Sequence, residues 1–413
     1  MAFKDTEASL IGVARLAKLI YQGRDVSELS QQLINRGIQG NPAALLDLSV
    51  LLQLTGQPET GLDIQRQALS IQQHFTLEPT TDRHDIRLLT LVGPGTLMSN
   101  CPLEFVAEGA GFTLELLYVS PELPLPDRFP DHDIAIVALG ELETNQASLI
   151  YVNSLLGCLP GPILNSPLKI SQLSRDTISA QLQDIPGADV PLTAKVSREK
   201  LKALAENSLS LEALLGDGTF PIIIRPTDSH AGYGLEKLSH GAELTDYLAR
   251  YDNPQFFISR YVEYAAPDNL YRKYRVVLID GEPELAHMGI SSHWINHYDN
   301  VGMGDSAEKR EEEAREMAAF KDSFASRHKT ALKNIHERVG LEYYAMDCSE
   351  TQDGRLLIFE IDSSMIIHQL DSPDLYPYKQ PQMQMIFDKI AAMLISKKRN
   401  SLSKPETQSE RRA

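Results

Sequence analysis

The chain reads as an α/β protein with an all-α helical hairpin region at its N-terminus, and three observations carry that expectation. Helical periodicity without strand signals runs from residue 5 to about 78, and short apolar runs alternate with helical stretches from Asp85 to about Asn165. Beyond Pro221 the apolar runs read as buried strands set off by turns. The expected domains are therefore helical over 1–80, α/β over 85–165 and a second α/β unit over 166–398, followed by a disordered tail over 399–413.

Leu10, Val13, Ala14, Ala17 and Leu19 recur at helical spacing, as do Leu45, Leu48, Leu51, Leu52 and Leu54. Gly56-Gln-Pro58 breaks the second helix, and Leu62, Ile64, Ala68, Leu69 and Ile71 resume the pattern as far as Phe75, which implies an antiparallel helix pair. The run from Ala43 to Leu69 resembles one tetratricopeptide-type hairpin. Two readings stay open for it: a module that docks a protein partner, or a helical cap that packs on the body or on a second subunit. Ile86–Val92, Leu114–Val119 and Ile134–Leu139 read as strands and Leu103–Ala110 as a helix; such alternation over short connections indicates a parallel sheet. Gly93-Pro-Gly-Thr96 lacks the Gly-Lys-Ser/Thr of a phosphate loop. Pro160-Gly-Pro162 and Asn165-Ser-Pro167 mark a linker, with a helix expected over Lys169–Leu182 and an incoming strand from Asp189.

A formal charge of −17 and the lack of a basic stripe speak against a nucleic-acid partner. Cys101, Cys158 and Cys348 are odd in number and far apart, which makes neither a disulfide framework nor a zinc pattern and suits a reducing, cytoplasmic location. No window approaches the ~20 apolar residues of a membrane span, so no membrane association is expected.

The chemistry is concentrated from Pro221 to Asp362. The strand Pro221–Arg225 feeds into Ser229-His230-Ala231-Gly232-Tyr-Gly234, where two glycines let backbone amides approach a triphosphate and form an anion nest, with Arg225 neutralising phosphate charge. Phe256–Val262 is an aromatic and branched strand able to offer backbone groups to an adenine edge. Tyr343–Asp347 and Leu356–Asp362 read as paired strands around Gln352-Asp-Gly354, with Glu360 and Asp362 on one face and Asp347 across the hairpin. Three facing carboxylates repel unless a cation lies among them, and hard oxygen ligands suit Mg2+ bound with phosphates. Arg275, on Tyr274–Ile279, offers a fixed charge to a transferring phosphoryl or a substrate carboxylate. His287, His293, Trp294 and His297 lack zinc spacing and read as a substrate-side wall. Lys309 to Arg315 reads as a solvated helix face.

The order of these segments resembles the ATP-grasp superfamily, over roughly Asp85 to Lys398. The likeness is nearest to glutathione synthetase and to the ligase that adds glutamate to a ribosomal protein, through Arg275-Val-Val-Leu-Ile-Asp-Gly-Glu-Pro283, Ala345-Met-Asp347 and Glu360-Ile-Asp362. The resemblance implies a substrate domain followed by two subdomains that clasp ATP. It places Arg225 where the family usually has Lys, Ser229–Gly234 as the mobile cover, and Ser259, Arg260, Tyr261 and Val262 as the adenine hinge. It also implies Lys200 as the second phosphate-binding lysine, Asp347, Glu360 and Asp362 as Mg2+ ligands, and Arg275 at the transferred phosphoryl. The chain departs from the family at Arg225, at Asp362 where Asn is common, at Lys273 where Asp is frequent, and at Ser291-Ser-His-Trp294 in place of an arginine-containing segment.

The implied activity is an ATP-dependent carboxylate–amine ligase that works through an acyl phosphate and releases ADP and phosphate, with an amino acid or short peptide as substrate. Many such ligases are homodimers. The alternative is a catalytically silent ATP-binding sensor whose N-terminal helices dock a partner.

Overall fold

Uninterrupted apolar strands and half-apolar strands call for different surroundings, and the chain uses both. In a computed structural model, residues 9–79, 86–216, 218–227, 229, 232–296 and 301–402 are described. His230, Ala231 and His297 lie outside them. The chain divides into two units, one of residues 1–170, 341–343 and 363–413, the other of 171–340 and 344–362. The α/β class with N-terminal helices is as expected from the sequence. Among the described residues no helix is long and apolar enough to cross a membrane.

The first unit holds a five-stranded sheet in the order β1-β3-β2-β4-β5: β1 His74–Leu77, β2 Arg87–Val92, β3 Thr113–Tyr118, β4 Ile134–Val137 and β5 Ile163–Leu164. Leu88 to Val92 and all of β4 are buried, as strands covered on both faces must be, and β2 runs parallel to β3 and β4. β1 was not expected. The helix that was read through Phe75 ends at Ile71, and Phe75 and Leu77 then alternate with the half-buried His74 and Thr76 in an antiparallel edge strand on β3. A four-residue alternation is too short to outweigh fourteen residues of helical pattern before it.

Helices Val13–Tyr21, Ser27–Ile38, Pro42–Leu54 and Pro58–Ile71 precede the sheet. Asn41 caps the third, accepting from the Ala44 N–H at 2.9 Å, with Pro42 in its first turn. The third and fourth make the expected hairpin. At Gly61 a Cβ would lie 2.8 Å from the Ser49 carbonyl oxygen, so only glycine permits this closeness. The hairpin also reaches the loop after β2: Gln53 accepts from Leu97 N–H at 3.0 Å and Gln65 from Gly95 N–H at 2.8 Å. These helices fall in the same compact unit as the sheet.

A helix that begins at Lys379 runs to Leu402 and belongs to the first unit, where Gln384 donates to the Gly109 carbonyl at 2.9 Å, and residues 403–413 of the expected tail lie outside the described residues. Lys169–Leu182 is not one helix but two, Pro167–Ile170 and Arg175–Gln181, and the unit boundary falls between them.

The second unit contains two sheets. β7 Thr193–Ser197, β8 Ile222–Pro226, β9 Glu236–Leu238 and β10 Gln255–Arg260 form an antiparallel sheet in the order β7-β10-β8-β9. β6 Ala188–Asp189, β11 Tyr271–Ile279, β12 Glu282–Ser291, β13 Tyr343–Glu350 and β14 Leu356–Asp362 form the other, in the order β12-β11-β13-β14-β6. The strand expected from Asp189 is split: β6 ends there, and β7 starts only after Pro191, which has no N–H to give a ladder. On the four-stranded sheet, Val196, Ile224, Phe256 and Ile258 bury one face against Leu201, Leu204, Leu244 and Tyr247 of helices Arg198–Ala205 and Glu243–Arg250.

Packing and burial yield two expectations. A Cβ at Gly109 would sit 2.1 Å from Cδ2 of the buried Phe387, so Gly109→Val should lower stability by about 1–3 kcal/mol in chemical denaturation; an unchanged midpoint would show that the ring yields freely. Asp47 is buried, accepting from Ile11 N–H at 2.9 Å and Gly12 N–H at 3.0 Å, and burial pushes its carboxyl from 3.8 up to about 7 despite those bonds. The folded chain thus holds this proton longer than the unfolded one. The group's contribution to stability is full below about 3.8 and declines as pH rises to about 7. Asp47→Asn should flatten the unfolding free energy across that range, and an unaltered slope would locate the titration elsewhere.

Candidate functional site

Strand alternation leaves the second face of the four-stranded sheet free of its core. Register puts Thr193, Ser259 and Ile223 in one row across that face, and Lys195, Phe257 and Arg225 in the next. Thr193, Ile223, Arg225, Phe257 and Ser259 of these rows line a cleft whose lining also includes Lys273, Asp347, Phe359 and Glu360 of the five-stranded sheet and Arg175 and Ile178 of helix Arg175–Gln181. The lining is apolar and aromatic at Leu173, Val262, Tyr264, Trp294 and Leu357 and ionic at Arg175, Arg225, Lys273, Asp347 and Glu360.

Asp347 organises the ionic part of the lining. Its Oδ1 accepts from Arg275 Nε at 2.8 Å, and its Oδ2 accepts from Lys273 Nζ at 2.9 Å and from the second Arg275 nitrogen at 3.1 Å. Burial alone would raise this carboxyl, but Arg275 and Lys273 together hold it well below the usual carboxylate range. Burial would likewise raise Glu360, which Arg175, in an ion pair at 2.7 Å, and Arg225 keep below its ordinary value. Two β-bulges flank this point: the register shifts after Asp347 against β14, leaving Phe359 unmatched, and after Arg275 against β12. Bulges of this kind re-aim side chains beside a site.

Arg225 is strongly desolvated. Burial, with Arg175 close by, pulls it down to about 9, and its Nε donates to Ser229 Oγ at 2.9 Å. It stays protonated at neutral pH, and an incoming anion would relieve its desolvation. The loop that follows is anchored at both ends: Ser229 Oγ donates to Pro226 O at 2.7 Å, and Tyr247 OH donates to Gly234 O at 2.7 Å. Gly232 and Gly234 have φ of 77° and 64°, the left-handed region that favours glycine. At Gly234 a Cβ would also meet Pro226 at 2.5 Å.

Of the residues expected from sequence, Arg225, Ser259, Arg260, Tyr261, Val262, Asp347 and Glu360 line this one cleft. Arg260 is tied to Asp189 by an ion pair, and Tyr261 N–H already donates to Pro221 O at 2.9 Å. Arg275 and Asp362 stand beyond the lining on the same sheet, Arg275 through its bonds to Asp347 and Asp362 opposite Ala345. Lys200 is exposed in the first turn of helix Arg198–Ala205 and is not among the residues that line the cleft. Lys195 shares its row with Phe257 and Arg225 instead. The signal for it was the alternation Thr193, Lys195, Ser197 on a short strand. The histidine group also disperses. His287 sits on β12 opposite Arg275, while Trp294 reaches the cleft lining, with Tyr264 OH donating to its carbonyl at 2.6 Å.

The expected magnesium triad does not form as a cage. Among the described residues no group of three His, Cys, Asp or Glu side chains is placed to hold a metal ion. Asp347 is occupied by two cations, Glu360 is paired with Arg175, and Asp362 lies apart from the lining. The repulsion among carboxylates is answered by the chain's own Lys and Arg.

No family model matches the chain, and no curated protein matches its sequence. Solved structures similar to it include VanG D-Ala:D-Ser ligase from Enterococcus faecalis, at 13% identity over 75% of this chain and 100% of that chain, with a TM-score of 0.46. Another is an ATP-grasp RimK domain protein from Sphaerobacter thermophilus, at 16% identity over 75% and 99%, with a TM-score of 0.40. A third is the ATP-grasp ligase PsnB complexed with minimal precursor, at 13% identity over 76% and 99%, with a TM-score of 0.44.

The buried ion cluster has a direct consequence for stability. Asp347→Asn leaves Lys273 and Arg275 without their counter-charge and should cost about 3–5 kcal/mol in urea denaturation. A loss below about 1 kcal/mol would mean that water already screens the cluster.

Proposed function

We propose that the cleft binds ATP and that the chain is a carboxylate–amine ligase, forming an amide or peptide bond on an amino acid or peptide substrate with release of ADP and phosphate. The observation that carries this reading is the mixed lining of the cleft, which brings apolar and aromatic side chains together with Arg175, Arg225 and Lys273 in one unit. A nucleoside triphosphate has a flat apolar ring at one end and several negative charges at the other, and few other metabolites match both.

In this reading the base lies against Val262, Tyr264 and Leu357, near the backbone of Ser259 to Val262. Arg225 takes the phosphates, with Lys195 beyond Phe257 in the same row of the sheet. Arg275 has its guanidinium held rigid by two bonds to Asp347 and so offers a fixed charge at the transferring phosphoryl group.

The reaction needs no protein nucleophile. A substrate carboxylate oxygen forms a bond to the γ-phosphorus as the bond to the β-phosphate oxygen breaks, which gives an acyl phosphate and ADP. An amine nitrogen then attacks the acyl carbon, phosphate departs with the former bonding pair, and the nitrogen loses a proton. Arg175, Arg225 and Arg275 hold the spreading charge and the in-line geometry, and positioning supplies most of the remaining rate. Mg2+ would accompany ATP as its counter-ion and shield phosphate charge, and no step is assigned to it.

The test is ADP release from ATP with pools of amino acids and short peptides, beside Arg275→Ala and Glu360→Ala. Turnover with the wild type, reduced by about 100-fold or more in Arg275→Ala, is expected. Nucleotide binding without ADP release in every pool would replace the ligase with an ATP-binding sensor. Unaltered turnover in Arg275→Ala would remove that residue from the reaction.

A further inference from the structure

Divalent ions bind a nucleotide site through carboxylate lone pairs left open beside the phosphates. Asp347 offers little of that. A carboxylate oxygen has two lone pairs; Oδ2 accepts both Lys273 Nζ at 2.9 Å and an Arg275 nitrogen at 3.1 Å, and Oδ1 accepts Arg275 Nε at 2.8 Å. The side chains are little exposed, at 6% for Asp347 and 13% for Lys273. A dication brought to Asp347 would therefore stand within a few ångströms of two fixed cations in a medium that screens them poorly.

The charges present already suit a polyanion. Arg175, Arg225, Lys273 and Arg275 gather around Asp347, Glu360 and Asp362, so positive charge exceeds negative before any metal arrives. Lys273 is the residue that tips this balance. Its register partner on β12 is Gly289, which adds no side chain beside it, and Lys273 itself lines the cleft. An ammonium has three N–H donors, and one is used on Asp347, which leaves donors for phosphate oxygens.

We propose that the Lys273 ammonium, locked onto Asp347, takes the place of a divalent ion there, so that the cleft binds the polyphosphate of a nucleoside triphosphate with little dependence on divalent metal. The inference rests on the reading of the cleft as a nucleotide site.

The experiment is calorimetric titration of the full chain with ATP, once in excess Mg2+ and once in EDTA, for wild type, Lys273→Met and Lys273→Arg. Wild-type affinities within about tenfold of each other in the two buffers are expected, with a loss of about tenfold or more in EDTA for Lys273→Met and recovery in Lys273→Arg. The Arg variant separates loss of charge from loss of fold. Wild-type binding that falls by more than about 100-fold in EDTA, or Lys273→Met binding as tight as wild type in EDTA, overturns the inference while leaving the nucleotide site in place. Absence of ATP binding in both buffers overturns the nucleotide reading and this inference with it.

Discussion

The bond set around Asp347 is the constraint on which the ionic part of the cleft lining depends. One carboxylate joins β13 to β11 through Arg275 and Lys273, and Ser349 Oγ adds a bond of 2.6 Å to the Arg272 carbonyl two residues further along. A buried carboxylate tolerates burial only when its charge is met, and the two cations tolerate it for the same reason. The three groups therefore hold one another in fixed positions. Arg275 acquires a defined direction from this, and Glu360, the register partner of Asp347, is brought beside Arg175.

The two sheets of the second unit contribute by different means. The four-stranded sheet works through simple alternation: one face is consumed by the core under helices Arg198–Ala205 and Glu243–Arg250, so the other must carry Thr193, Lys195, Ile223, Arg225, Phe257 and Ser259. The five-stranded sheet works through irregularity. Its bulges next to Arg275 and Asp347 interrupt the alternation where charged side chains have to share one face. Desolvation then sets the chemistry. Arg225 is drawn down by burial and by the neighbouring Arg175, an arrangement that gains most when an anion arrives.

The first unit supports the same logic in its own interior. Its parallel strands are buried on both faces, and the glutamines of the helical hairpin satisfy backbone N–H groups of Gly95 and Leu97 at the end of β2. That loop had no phosphate-binding signature in the sequence, and its Gly93, Gly95 and Leu97 amides are bonded within the protein.

Read alone, the sequence determined the strand and helix classes wherever a pattern ran long enough: the helical hairpin around Gly56-Gln-Pro58, the strands β2, β3 and β4, and the β13–β14 hairpin that makes Asp347 and Glu360 partners. It also singled out Arg225, Asp347 and Glu360, which the fold brings to one cleft, because charges embedded in apolar strands stand out against the cost of burying them. Short elements escaped it. β1 and the break after Ile170 depend on a few residues whose local preference is weak and which neighbours override. Proximity along the chain does not say which lysine shares a row with Arg225; strand pairing puts Lys195 there and leaves Lys200 on a helix. The pairing of Lys273 with Asp347 likewise emerged only in three dimensions. Spacing shows three carboxylates that need a cation, and only the packed sheet shows that the chain itself supplies it, since electrostatic neutralisation depends on distances between strands and not on order along them.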